Sequence, residues 1–131
     1  MIGLDTNVVV RLLTRDDAVQ ARRAADFVAG QAVRGDPVFV SLVVLTETAW
    51  VLTSTYGLDP ADVTAAFLRL LEAGEFVVEQ RQAVSAALGR ALRSKVGLAD
   101  VLIGVSNRSH GCSATATFDR RAAKLDEFFA L

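Results

Sequence analysis

Short β-branched or aromatic runs alternate with longer stretches of helical periodicity from one end of this chain to the other. Val38-Phe39-Val40, Phe76-Val77-Val78 and Ser113 to Phe118 are runs of strand length, and the apolar start of the chain makes another that stops at Asp5. Thr6 stands where it can cap the helix that follows, whose apolar residues Val8, Val9, Leu12 and Leu13 recur at helical spacing. Alternation of this kind builds strand–helix units, whose sheet is mostly parallel and covered by helices. In an open α/β sheet, ligands sit beyond the carboxyl ends of the strands, which is where this reading puts Asp5.

The punctuation supports the same order. Asp16-Asp17 starts a second helix with a small-residue stripe, Ala18, Ala21, Ala24, Ala25, Val28 and Ala32, and Gly35-Asp36-Pro37 ends it. Ser41 caps a third helix that runs to about Tyr56, where Gly57 stops it. Asp59-Pro60 opens a fourth, striped by Val63, Ala66, Phe67, Leu70 and Leu71 and closed by Gly74. The helices on either side of Gly57 form a hairpin whose apolar faces can serve a dimer. Val84, Ala87, Leu88, Ala91 and Leu92 stripe the fifth helix, which ends in Arg90, Arg93 and Lys95. Gly97 opens the sixth, carrying Asp100 and continuing to about Arg108. Asp119 then caps Arg120–Leu125, and Phe128-Phe129-Ala130-Leu131 adds an edge strand, giving four to five strands.

With 131 residues, 52% of them hydrophobic, residues 1–131 make one domain with a full core. No apolar run is long enough to cross a bilayer, no basic start precedes an apolar region, and the lone Cys112 fits a reducing compartment, so a cytoplasmic location is expected. One His (His110) and one Cys cannot build a zinc site, and no glycine-rich phosphate loop or nucleophile elbow is present. The net charge of −1 argues at first against a nucleic-acid partner. That sum hides a separation: without Asp5, Glu47, Asp100 and Asp119, 14 basic residues face 11 acidic ones, a net of +3. Twelve of the 14 are arginine, the side chain suited to bidentate phosphate contact.

Those four acids are the candidate site. Val43, Val44, Trp50 and Val51 surround Glu47 on its helix, which places the acid on the core side, where an unpaired carboxylate costs several kcal/mol. Asp100 stands in the first turn of a helix that is apolar nearly all round, and Asp5 and Asp119 each join a strand to a helix. Singly, each has a plain alternative as a helix cap, a dipole complement or the partner of an arginine. Together they fall at strand ends and helix starts that a parallel sheet gathers along one edge. Two carboxylates about 4 Å apart repel by roughly 4 kcal/mol at an effective dielectric of about 20, a conflict that a hard cation removes. Oxygen-only ligands point to Mg²⁺ or Mn²⁺.

Asp5-Thr6-Asn7 with Arg11 on the next helix, Glu47 before Trp50-Val51-Leu52, Leu98-Ala99-Asp100, and Thr117-Phe118-Asp119 appear in that order across the chain. In this pattern the chain resembles the PIN-domain ribonucleases, and more narrowly the VapC toxins of toxin–antitoxin pairs. The resemblance implies a PIN-like three-layer α/β/α sandwich and a homodimer. It also implies Mg²⁺- or Mn²⁺-dependent cleavage of RNA, held in check by a cognate VapB-type antitoxin. Asp5, Glu47 and Asp100 match the family's core acids and Asp119 its more variable fourth, all four as metal ligands. Thr6, Asn7 and Thr117 are expected to support the cluster, and Arg11, Arg93 and Lys95 to contact the RNA backbone. Two readings stand beside this one: a metal-dependent DNA nuclease of related fold, and a non-catalytic binding module whose acids cap helices and pair with arginines.

Overall fold

Strands β1 (Ile2–Gly3) and β2 (Val38–Val40) each hand the chain to a helix through a residue whose side chain satisfies one of the helix's free amides. A computed structural model describes residues 1–131. Strand β1 (Ile2–Gly3) leads to helix α1 (Thr6–Thr14), where the Asp5 carboxylate accepts a hydrogen bond from the Val8 amide at 3.2 Å. The cap is therefore Asp5 and not Thr6, which is the first helical residue. Asp17 caps α2 (Ala18–Val33) through the Gln20 amide. Strand β2 (Val38–Val40) runs into α3 (Leu42–Ser54), capped by Ser41 at the Val44 amide and by the Glu79 carboxylate, which accepts from the Leu42 amide at 2.6 Å. Asp59 caps α4 (Pro60–Glu72). Strand β3 (Phe76–Val78), α5 (Arg81–Ser94), α6 (Leu98–Ser109) and β4 (Thr115–Thr117) follow. A single 3-10 turn, Ala122–Lys124, precedes β5 (Phe128–Ala130).

Every strand pair is parallel, in keeping with the alternation of strands and helices, but the five strands form two hydrogen-bonded sets where one sheet was expected. β1, β2 and β3 lie side by side in that order, with Ile2 opposite Val38 and Val38 opposite Phe76. β4 pairs with β5, Thr115 opposite Phe128. Each strand is only two or three residues long and supplies few ladder bonds.

The core joins both sets through α3, α5 and α6. Leu45, Leu52, Phe67, Leu88 and Leu102 are its largest fully buried side chains. The α4 stripe Val63, Ala66, Phe67, Leu70 and Leu71 is wholly buried in this core, so it is not free to serve a dimer. In α2 the small-residue stripe is only partly used: Ala21, Val28 and Gln31 are buried, while Ala18, Ala25 and Ala32 face solvent. No helix is long and apolar enough to cross a membrane.

The C-terminal strand is locked onto α5 and α6 by two fits. The buried Glu127 pairs with Arg90 of α5, and Phe128 packs over Gly104 of α6. A Cβ on residue 104 would lie 2.8 Å from the ring of the buried Phe128 and 3.2 Å from Glu127 Cγ. Gly104→Ala should therefore destabilise the protein by about 1–3 kcal/mol despite alanine's better helix propensity. Chemical denaturation checks this, and an unchanged or higher midpoint would contradict the packing.

Candidate functional site

Thr6 and Glu47 are bonded across α1 and α3. The Thr6 hydroxyl donates to Glu47 Oε2 at 2.8 Å, and Asp5, next to Thr6 in the chain, keeps its carboxylate at the mouth of α1 through the Val8 amide. Glu47 is exposed, contrary to the core-side position expected of it, and so are its helix neighbours Val43 (75%) and Trp50 (60%). Helix α3 buries Leu42, Leu45, Thr48, Ala49 and Leu52 instead. Because α3 is apolar on nearly every side, apolar neighbours at i±3 and i±4 did not mark its inward face.

Asp100 and Asp119 form a second pair. Asp100 is half-buried in the first turn of α6, its Oδ2 folded back over Gly97, where no side chain caps the helix. Burial pushes its carboxyl above the usual value of 3.8, and the charge of Asp119 adds to the shift. Asp119 is held below the usual value by the amides of Ala122 and Arg121, which donate to its Oδ1 at 3.0 and 2.7 Å. The proton preference of the pair thus falls on Asp100 while Asp119 stays anionic. Thr117 supports the turn, its hydroxyl accepting from the Asp119 amide at 2.9 Å.

No hydrogen bond joins the two pairs, and no three acids converge into a ready-made metal cage, so the closed four-acid set expected from the sequence is not assembled. Asp5, Glu47 and Asp119 each lean on a nearby donor, and mutual repulsion gives them no reason to come closer. The donors are nonetheless all oxygen, carried by α1, α3, α6 and the turn after β4. A repelling carboxylate pair with one member deprived of water is a fit for a divalent cation.

The other candidates divide. Asn7 lies exposed beside Asp5 on a groove of about 680 Å³ that Arg23 and Phe27 also line. Arg11 lines it too, but its guanidinium donates to Gln20, Asp16 and Tyr56 at 2.7, 3.2 and 3.0 Å. Those bonds make it a brace between α1, α2 and the end of α3 rather than a free backbone contact. Tyr56 and Thr14 also donate to Asp16, holding that carboxyl below its usual value. Arg93 and Lys95 are exposed near the α5–α6 junction and form no ion pair. Sequence reasoning missed Tyr56 and Glu79, whose partners are distant in the chain. It also passed over Phe118, which its place between Thr117 and Asp119 could have signalled.

Compared with known proteins, residues 2–128 match the family model described as PIN domain. No curated protein matches the chain.

The opposite shifts of Asp100 and Asp119 predict opposite effects on stability. Because the folded Asp100 carboxyl is raised above 3.8, the native state binds more protons than the unfolded chain just above that value. Stability therefore falls as pH rises through this window. Asp100→Asn removes the penalty and should raise Tm at pH 7 in chelator, with little difference below the ordinary carboxylate range. Asp119→Ala should lower Tm at pH 7, because the stability its lowered carboxyl supplies is present above 3.8 and lost as pH falls through its folded value. Thermal melts across pH check both, and the same sign for the two variants would contradict the assignment.

Proposed function

This chain belongs to the PIN domain family, and on that premise we propose that it is a Mg²⁺- or Mn²⁺-dependent endoribonuclease acting as the toxin of a toxin–antitoxin pair. PIN-domain proteins are generally metal-dependent nucleases. The observation that carries the reading is the Asp100–Asp119 pair, in which burial and a neighbouring anion both work against the charge on Asp100. A helix-dipole complement alone would lower that carboxyl rather than raise it.

Asp5, Glu47, Asp100 and Asp119 would hold the cation, which when bound supplies a Lewis acid that activates water and offsets the charge growing on the phosphate. The chain's own groups set the stage for it. The Thr6 hydroxyl fixes the Glu47 carboxylate, and the Ala122 and Arg121 amides keep Asp119 ionised. Asp100, half-buried beside Asp119, would present its carboxylate to the cation, whose charge would offset the repulsion between the two acids. In-line attack on the phosphodiester breaks the bond to the 3′ oxygen, leaving a 5′-phosphate and a 3′-hydroxyl.

A VapB-type antitoxin would bind the protein and block the acidic site. A homodimer would bury Val43 and Trp50, the exposed apolar residues flanking Glu47 on α3. Trp50→Glu should then shift a dimer to monomer in light scattering, and an unchanged mass would place the interface elsewhere.

Asp100→Asn should lower RNA cleavage by about 10²–10³-fold while the protein remains folded. Thr6→Val, which only frees Glu47, should lower it about 10–100-fold. Chelator should abolish cleavage, and Mn²⁺ at about 100 times its Kd should stabilise the fold by about 2.7 kcal/mol, read as a rise in Tm. Wild-type cleavage by Asp100→Asn would overturn the role given to Asp100, and a Tm indifferent to Mn²⁺ would favour a non-catalytic module. Offering DNA and RNA to the same preparation decides between the two polymers, and mapping cuts on total RNA identifies the target.

A further inference from the structure

The turn from Phe118 to Arg121 places a bare aromatic ring and two unengaged guanidinium groups directly beside Asp119. Phe118 is 84% exposed, more than any other phenylalanine in the chain. A lone exposed apolar side chain is ordinary, but this one is held out by a fixed backbone. On one side the Thr117 hydroxyl accepts from the Asp119 amide. On the other, Asp119 accepts from the amides of Arg121 and Ala122. Arg120 and Arg121 are both exposed and take part in no ion pair, although Arg121 is near enough for its charge to help keep Asp119 ionised.

We propose that this turn is a docking element for single-stranded nucleic acid: Phe118 stacks on an unpaired base next to the cleaved bond, and Arg120 and Arg121 hold the flanking phosphates. The proposal deepens the nuclease reading and rests on it, since it names the form of substrate that the acidic site accepts. A flat π-face with adjacent cations is the chemistry that grips a strand without regard to sequence, because every base offers a face and every nucleotide a phosphate. The charge is complementary as well. Asp100 and Asp119 by themselves repel a polyanion, and two unpaired arginines next to Asp119 counter that repulsion where the strand must pass. With the turn already fixed by its hydrogen bonds, little ordering entropy is lost when a base settles on the ring. Bases inside a duplex cannot reach Phe118 in this way, so paired strands gain only the arginine contacts.

Fluorescence anisotropy tests the proposal in an Asp100→Asn background, with a short unstructured oligoribonucleotide and its duplex as probes. Phe118→Leu, which keeps an apolar side chain but loses the π-face, should weaken single-strand binding about 5- to 150-fold and leave duplex binding unchanged. Phe118→Trp should bind the single strand at least as well as the parent. Arg120→Gln and Arg121→Gln should each flatten the dependence of log affinity on log salt by about 0.7. Unchanged binding by Phe118→Leu, or equal loss for single strand and duplex, overturns the proposal. So does a change in molar mass on light scattering, which would make the ring part of an interface between copies. If the wild-type protein cuts RNA while Phe118→Leu binds normally, only this inference fails. If the wild-type protein neither binds nor cuts nucleic acid, the nuclease reading falls with it.

Discussion

The free amides at the starts of helices are the constraint around which this molecule is arranged. An α-helix leaves its first amides without partners, and in a parallel α/β fold those ends collect near the carboxyl ends of the strands. Here they are met largely by acids: Asp5 for α1, Asp17 for α2, Glu79 for α3, Asp59 for α4 and Asp119 for the 3-10 turn. Asp5 and Asp119 follow strands directly, whereas Asp17 and Asp59 start helices that follow other helices. Asp5 and Asp119 serve both purposes, terminating a strand and standing at the candidate site.

Asp100 is the exception, and that is why it is informative. It sits in the first turn of α6, where a carboxylate is normally welcome. Yet burial beside Asp119 raises its proton affinity. Asp119, two amides firmly on its oxygen, does not yield its charge. An arrangement that leaves one carboxylate disfavoured next to a fixed anion spends stability on function, as strained or frustrated sites in enzymes do. The Thr6–Glu47 bond on the neighbouring helices is quieter chemistry: it orients a carboxylate.

Around these acids the structure sorts the arginines by use. Arg11 is consumed in bracing α1 against Asp16, Gln20 and Tyr56, and Arg90 in holding the buried Glu127 and with it β5. Arg120, Arg121, Arg93 and Lys95 remain exposed and without ion pairs. The excess of positive charge outside the candidate site is thus partly structural and partly available to a polyanion. Composition alone could not divide it, because a guanidinium looks the same in sequence whether it is braced or free.

Local chemistry is written in the chain. Strand runs, the Asp59-Pro60 start, the Ser41 cap and the α4 stripe depend on residues a few positions apart, and each appears where the sequence puts it. What depended on distant partners had to wait for the fold. The apolar girdle of α3 hid which face turns inward, so Glu47 emerged at the surface beside Trp50 and bonded to a threonine 41 residues away. Likewise the parallel pairing of the strands follows from their alternation with helices, whereas their division into three and two appeared only in the fold. That the four acids fall at strand ends and near helix starts or on a following helix was legible in the sequence. That Glu47 is bonded to Thr6 while Asp100 and Asp119 stand in conflict was decided by packing, which alone sets the distances over which charges act.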